Sequence, residues 1–163
     1  MRSQHGTLWA VASLLSGLVL ATPARAADNF SWGFLKLGKS EVSLSYGVSE
    51  SDIVTLVFAC DTKKNRIEIV TTVLPPKRRN GQALRTTLHN GAATAVYDGK
   101  VVRSTWSGEF HFEVSMAAEP KAMDIVKSGS SLVIGIPGRQ VRVPLKGVTK
   151  PLAQFEAACF RKR

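Results

Sequence analysis

The sequence predicts a mainly β fold, an antiparallel β-sandwich carrying two short helices, the last of them C-terminal. Three observations lead there. Apolar and polar residues alternate with a period of two in several short segments, the pattern of half-buried strands. Polar or Gly/Pro turns separate these segments. Helical spacing shows in only two stretches, so strands do not alternate with helices as a parallel α/β fold requires.

In residues 41–48, Val42, Leu44, Tyr46 and Val48 alternate with Glu41, Ser43, Ser45 and Gly47. Residues 53–60, IVTLVFAC, are apolar on both faces and belong in the middle of the core. DTKKN then turns the chain into RIEIVTTV, a hairpin whose first strand ends at Cys60. ALRTTLH and ATAVY are weaker strands, and Asp98-Gly99 is a hairpin turn signal leading into KVVRSTW. In residues 110–116, Phe110, Phe112, Val114 and Met116 face inward while His111, Glu113 and Ser115 face out. SLVIGI and RQVRVPL flank a Pro137-Gly138 turn, and Pro144 places the second of them at a sheet edge or near its end. Trp32 and Phe34, near the start of this region, read as core fillers, and with Trp106 are the candidate aromatic anchors of a recognition surface.

The first helix falls in EPKAMDIVKSG, with Pro120 in a first-turn position, Met123 and Val126 at helical spacing and Gly129 as the stop. The second is TKPLAQFEAACF: Thr149 is the cap, Pro151 lies in the first turn, and Leu152, Phe155 and Cys159 share one face. That face must pack on something. If it packs beside Cys60, a bridge between the two cysteines fastens the helix across the core.

The N-terminal stretch has Arg2, an uncharged apolar run from Leu8 to Leu20, and the small-x-small triplet Ala24-Arg25-Ala26. This is the order of a secretory signal peptide cleaved after Ala26; the alternative is a retained anchor, for which the run is of marginal length. The expected organisation is a signal peptide at 1–26 and one domain at 27–163, periplasmic or secreted. Export changes the meaning of the two cysteines, because an oxidising compartment favours the single intramolecular pairing they allow, Cys60 with Cys159. Two buried thiols, or a redox or catalytic cysteine, are the competing readings. Neither a CxxC motif nor a metal-type cysteine spacing is present.

The middle and end of the chain resemble a known group. A strand ending in cysteine, a long β region and a short helix are followed by VKSGSSLVIGIPGRQVRVPLKGVTKPLAQFEAACF. This order is similar to the invasion-associated locus B family of proteobacterial exported proteins, best over residues 125–159. It resembles more loosely the periplasmic accessory proteins associated with type VI secretion. The resemblance implies an exported β-sandwich without known catalysis, and it supplies no site residues.

Motif searching yields no catalytic constellation. His89 and His111 are the only histidines beyond the signal peptide, and no H-E-x-x-H or cysteine cluster accompanies them. A G-x-S-x-G elbow is absent as well. Charge is the one feature that points to a partner. Beyond Ala26 there are 20 Lys and Arg against 12 Asp and Glu, a net +8. Lys77, Arg78 and Arg79 form a basic loop, Arg139 and Arg142 lie on a later strand, and Arg161, Lys162 and Arg163 end the chain. Lys63, Lys64, Arg66 and Lys146 add to the basic strand edges.

Such a surface attracts anionic lipids or glycans, with a field that weakens as salt rises. Nucleic acid is not an expected partner, since export removes the opportunity and no aromatic stacking platform is evident. The expected function is therefore a non-enzymatic exported envelope protein, without cofactor or metal, that binds an anionic envelope component or a protein partner. A structural accessory of a secretion or invasion apparatus is the alternative, and an envelope hydrolase with a non-local acid pair is the second alternative.

Overall fold

Period-two segments joined by tight turns pair with their neighbours in sequence first, and here they give two antiparallel runs. In the computed structural model, residues 29–105 and 107–161 are described; the expected signal peptide, Trp106, Lys162 and Arg163 lie outside them. The first run is β1 (Phe30–Lys36), β2 (Glu41–Val48), β3 (Val54–Asp61) and β4 (Arg66–Thr71). The second comprises β5 (Ala83–His89), β6 (Thr94–Arg103) and β7 (Phe110–Ala117), and β8 (Ser131–Ile136) pairs with β9 (Arg139–Pro144). Between β7 and β8 lies a 3-10 helix, Pro120–Val126, and α1 (Thr149–Cys159) closes the described chain.

All pairings are antiparallel, and they join the strands into one sheet of order β1-β2-β3-β4-β7-β6-β5-β8-β9. The mainly β class and the two short helices are as expected, but the strands do not divide into the two sheets of a sandwich. Two non-local pairings are the reason. β4 pairs with β7, Ile69 opposite Val114, and β5 pairs with β8, Leu88 opposite Ile134. The sheet curls into a half-barrel. Its two edges meet where the Trp32 indole Nε1 on β1 donates to the Pro144 carbonyl on β9, 2.7 Å away. Pro144 therefore ends an edge strand, as the sequence predicts.

The concave face holds the core. Leu44, Phe58 and Ile69 face one another across β2, β3 and β4, and Phe112, Val101, Leu88, Ile134 and Val143 continue the same buried layer. Trp32 is buried and Phe34 packs against the core, so these two are fillers rather than an exposed recognition patch. Leu152, Phe155 and Cys159 of α1 are buried together, and the helix lies against β1 and β2.

One turn is displaced from its expected place. Asp98 and Gly99 do not turn; they lie inside β6, which runs unbroken from Thr94 to Arg103. Gly99 is there for space, since a Cβ would collide with the Phe112 ring and the Glu113 carbonyl. The hairpin turns instead at residues 90–93. Asn90 is buried in that turn: its carbonyl accepts the Ala92 and Ala93 amides at 3.0 and 2.7 Å, and its amide donates to the Ile125 carbonyl and the Ser128 hydroxyl. One side chain thus shapes the turn and fastens it to the 3-10 helix.

Candidate functional site

Two hairpin tips and the end of α1 come together at one end of the half-barrel. The β3–β4 tip is held by Asp61, whose Oδ1 accepts the Lys63 and Lys64 amides at 3.0 Å each. Asn65 completes the turn in the left-handed region, φ +52°, which asparagine tolerates. Thr62 reaches across to the β1–β2 tip, donating its amide and its hydroxyl to the Ser40 carbonyl at 2.8 and 3.0 Å. Two bonds, one backbone and one side-chain, therefore fix the two tips in one body.

The third wall is set covalently. Cys60 and Cys159 are bonded, their Cα atoms 5.9 Å apart across 99 residues of sequence, so the expected bridge is present and no cysteine is free. It brings Ala158, Cys159 and Arg161 beside the tips and leaves a cavity of about 530 Å³ lined also by Lys36, Gly38, Lys39, Ser40, Val42, Thr62, Lys63 and Asn65. Lys36, Lys39, Lys63 and Arg161 are exposed cations, and no carboxylate among the described residues lines this cavity. None of the four makes an ion pair with a described carboxylate. The carboxyl end of α1 carries partial negative charge, which opposes an anion. Arg161 offsets it by donating its Nε to the Ala157 carbonyl at 3.2 Å.

The residues expected to bind an anion divide between places. Lys77, Arg78 and Arg79 lie in an exposed loop at the opposite end of β4 and line an open concavity of about 630 Å³ with Pro76 and Gln82. Arg139 joins this loop, its guanidinium 3.5 Å from the Leu74 carbonyl. Arg142 does not: it faces the other side of β9 and donates to the Ser131 hydroxyl at 3.1 Å. Arg78 is also occupied internally, lying 5.7 Å from the Phe110 ring with Arg103 at 5.8 Å. The loop is therefore open and partly committed, whereas the pocket at the disulfide end is concave, has no carboxylate in its described lining, and commits only Arg161, to the Ala157 carbonyl. Lys36 and Lys39 belong to that pocket and escape a search for charge runs, because each stands alone in sequence. Lys64 sits beside it but is paired with Asp61 at 3.0 Å, which raises the lysine and lowers the carboxyl.

A carboxylate pair lies elsewhere, on the convex face. Glu68 on β4 and Glu113 on β7 are hydrogen-bonded diagonal neighbours, with Lys100 at 3.8 Å and His111 at 3.7 Å from Glu113. Burial first, then the charge and hydrogen bond of Glu113, hold the Glu68 carboxyl above the usual carboxylate range, and Lys100 opposes them. Hydrogen-bonded acids are closer than the roughly 5–9.5 Å that glycoside cleavage uses, so the pair lacks that geometry. His89 Nδ1 lies 3.1 Å from the Ala93 carbonyl oxygen, which can only accept, and 2.9 Å from the Thr94 hydroxyl within the β5–β6 turn. No group of three metal-ligating side chains occurs among the described residues.

The Glu68 environment has a consequence for stability. A carboxyl raised by folding binds a proton more tightly in the native state, so its contribution is present below the ordinary value of 4.5 and is lost as pH rises through the raised one. Glu68→Gln is expected to stabilise the protein at neutral pH by up to about 1 kcal/mol, the scale of a like-charge cross-strand pair on an open face. At pH about 4 the advantage should vanish. Urea unfolding at the two pH values measures this; an equal gain at both would assign the effect to packing instead of charge.

Among the described residues no helix is long and apolar enough to cross a membrane. No family model, no curated protein and no solved structure matches the chain.

Proposed function

We propose that this chain is a non-enzymatic exported protein of the bacterial envelope, periplasmic or secreted, that binds an anionic envelope component in the pocket at its disulfide end. The observation that carries the reading is the convergence of Lys36, Lys39, Lys63 and Arg161 on one cavity without a carboxylate among its described lining. Four like charges held on a rigid concave surface repel one another, and an anionic ligand relieves that repulsion. The long-range disulfide supports the export part of the reading, since such bridges persist in oxidising compartments. The signal-peptide order of residues 1–26 and the resemblance of residues 125–159 to the invasion-associated locus B family point the same way. The structural role in a secretion or invasion apparatus has no interface residues to stand on, and it ranks second.

Titration with soluble inorganic polyphosphate tests the pocket. Replacing Lys36, Lys39, Lys63 and Arg161 with glutamine is expected to weaken binding at least tenfold, which is about 1.4 kcal/mol spread over four charged contacts. The matching set Lys77→Gln, Arg78→Gln and Arg79→Gln should change it by less than about threefold, roughly 0.65 kcal/mol. The reverse ranking would move the site to the loop. Binding unaffected by both sets would remove the anionic reading altogether.

A further inference from the structure

We infer that the anionic component is a phospholipid surface, and that the protein docks on it tip-first through the β1–β2 hairpin; the inference rests on the pocket reading above. The hairpin carries two features that a site for a free phosphate does not require. Leu35 and Leu37 are 56% and 55% exposed, two of the four exposed large apolar side chains among the described residues. They flank Lys36, and Lys39 follows two residues later. The other exposed apolar residues, Ile53 and Val96, lie elsewhere on the fold.

The leucines and the cations share the hairpin tip and not one face: Leu35 lines a groove with Ser43 and Ser45, Leu37 lies beside Glu41 and Asp61, and the cations line the cavity behind them. Thr62 binds the Ser40 carbonyl, so the tip bearing Lys63 and Lys64 advances with the tip bearing Leu37 and Lys39. Leu35 stands two residues behind Leu37 on an extended strand, about 7 Å at ~3.3 Å per residue. That separation matches the roughly 5–10 Å depth of the headgroup and acyl boundary, where interfacial apolar side chains rest. Docked tip-first, Leu37 enters the boundary first, Leu35 follows, and the cations on the other face of the hairpin meet lipid phosphates. Cationic side chains near an anionic bilayer and buried apolar area are the two terms that hold peripheral proteins on membranes. Depth is limited by backbone chemistry. β1 is an edge strand of the sheet, and backbone groups without a strand partner do not enter the hydrocarbon core. The chain therefore rests on the surface and does not span.

Sedimentation with vesicles of phosphatidylcholine, with and without about 30% phosphatidylglycerol, tests the inference on the full mature chain. Three proteins are compared: wild type, Leu35→Ser with Leu37→Ser, and Lys36→Gln with Lys39→Gln and Lys63→Gln. Wild type is expected to bind the anionic vesicles at least tenfold better than the neutral ones. The lysine variant should lose about tenfold at low salt, and the leucine variant at least threefold, a loss that persists at about 0.5 M salt where charge is screened. Both sets are exposed, and unchanged urea midpoints would establish that the variants fold. If the leucine variant binds vesicles like wild type, the hairpin docking is overturned. If wild type binds polyphosphate but ignores vesicles, the lipid inference fails and the pocket reading stands. If it binds neither, both fail together.

Discussion

Replacing both cysteines, Cys60→Ala with Cys159→Ala, is expected to lower stability by about 4–5 kcal/mol, the largest effect of any change considered. The bridge spans 99 residues of sequence, and in the chain-entropy account a loop of that size contributes roughly 4.7 kcal/mol by restricting the unfolded chain. Alanine is the right replacement because Cys60 is only 1% exposed and Cys159 7%, so serine would add the cost of burying a hydroxyl. With a urea dependence of about 2 kcal/mol/M, the unfolding midpoint should fall by about 2 M. Reduction of the native protein should reproduce the shift. A fall of less than about 0.5 M would mean that α1 is held by packing alone and that the bridge is a minor constraint. The same variant should also lose polyphosphate affinity, because Arg161 reaches the cavity only while the end of the helix is held against β3.

Most strands could be read from the alternation of side chains, and the reason is local. Where Val42, Leu44 and Tyr46 face one way and their neighbours the other, periodicity states both the conformation and the buried face. Pairing over distance leaves no such mark. Nothing in the residues of β4 says that its second neighbour is β7, forty residues away and past an intervening hairpin, so one curled sheet could not be told from two stacked ones. The β5–β6 turn shows the same limit at short range. Asn90-Gly91 and Asp98-Gly99 are both strong turn dipeptides. The first turns because Asn90 finds partners in Ile125 and Ser128, and the second is held straight because Phe112 needs the space at Gly99. Tertiary contacts decided between two equal local signals.

The site was legible in part for a related reason. The cysteine pair followed from the expected compartment and from number, without any knowledge of geometry. The charges did not: Lys77, Arg78 and Arg79 draw attention because they are consecutive, yet they line only an open concavity, and Arg78 lies over the Phe110 ring. Lys36, Lys39, Lys63 and Arg161 come from three separate elements and converge only because Thr62 ties two tips together and Cys159 anchors a third. A concave charged site is a property of the fold, and a run of like charges is a property of the chain. Arg139, distant in sequence, approaches the basic loop only at the Leu74 carbonyl.

Phe155→Ala is expected to destabilise the protein by about 3–5 kcal/mol, the range for emptying a buried aromatic site. Phe155 is fully buried on the inner face of α1, with the Phe160 ring edge-on at 6.3 Å. What makes this change informative is its coupling to the disulfide. Both the aromatic packing and the bridge hold the same helix to the same strands. With the bridge intact, losing Phe155 leaves α1 tethered beside β1 and β2, and the cost is the cavity and the lost apolar burial. With the bridge absent, the end of α1 is already loosened, so Phe155 has less packing left to lose. The triple variant should therefore cost clearly less than the sum of Phe155→Ala and the double cysteine variant, by on the order of 1–3 kcal/mol, as expected for groups in one contact network. Urea unfolding of the four proteins closes the cycle. Strict additivity would show that the bridge acts only on the unfolded chain and that α1 docks independently of it. A shortfall would show that the helix, its aromatic anchor and its disulfide form one cooperative unit, which is the condition for the pocket beside Arg161 to keep its shape.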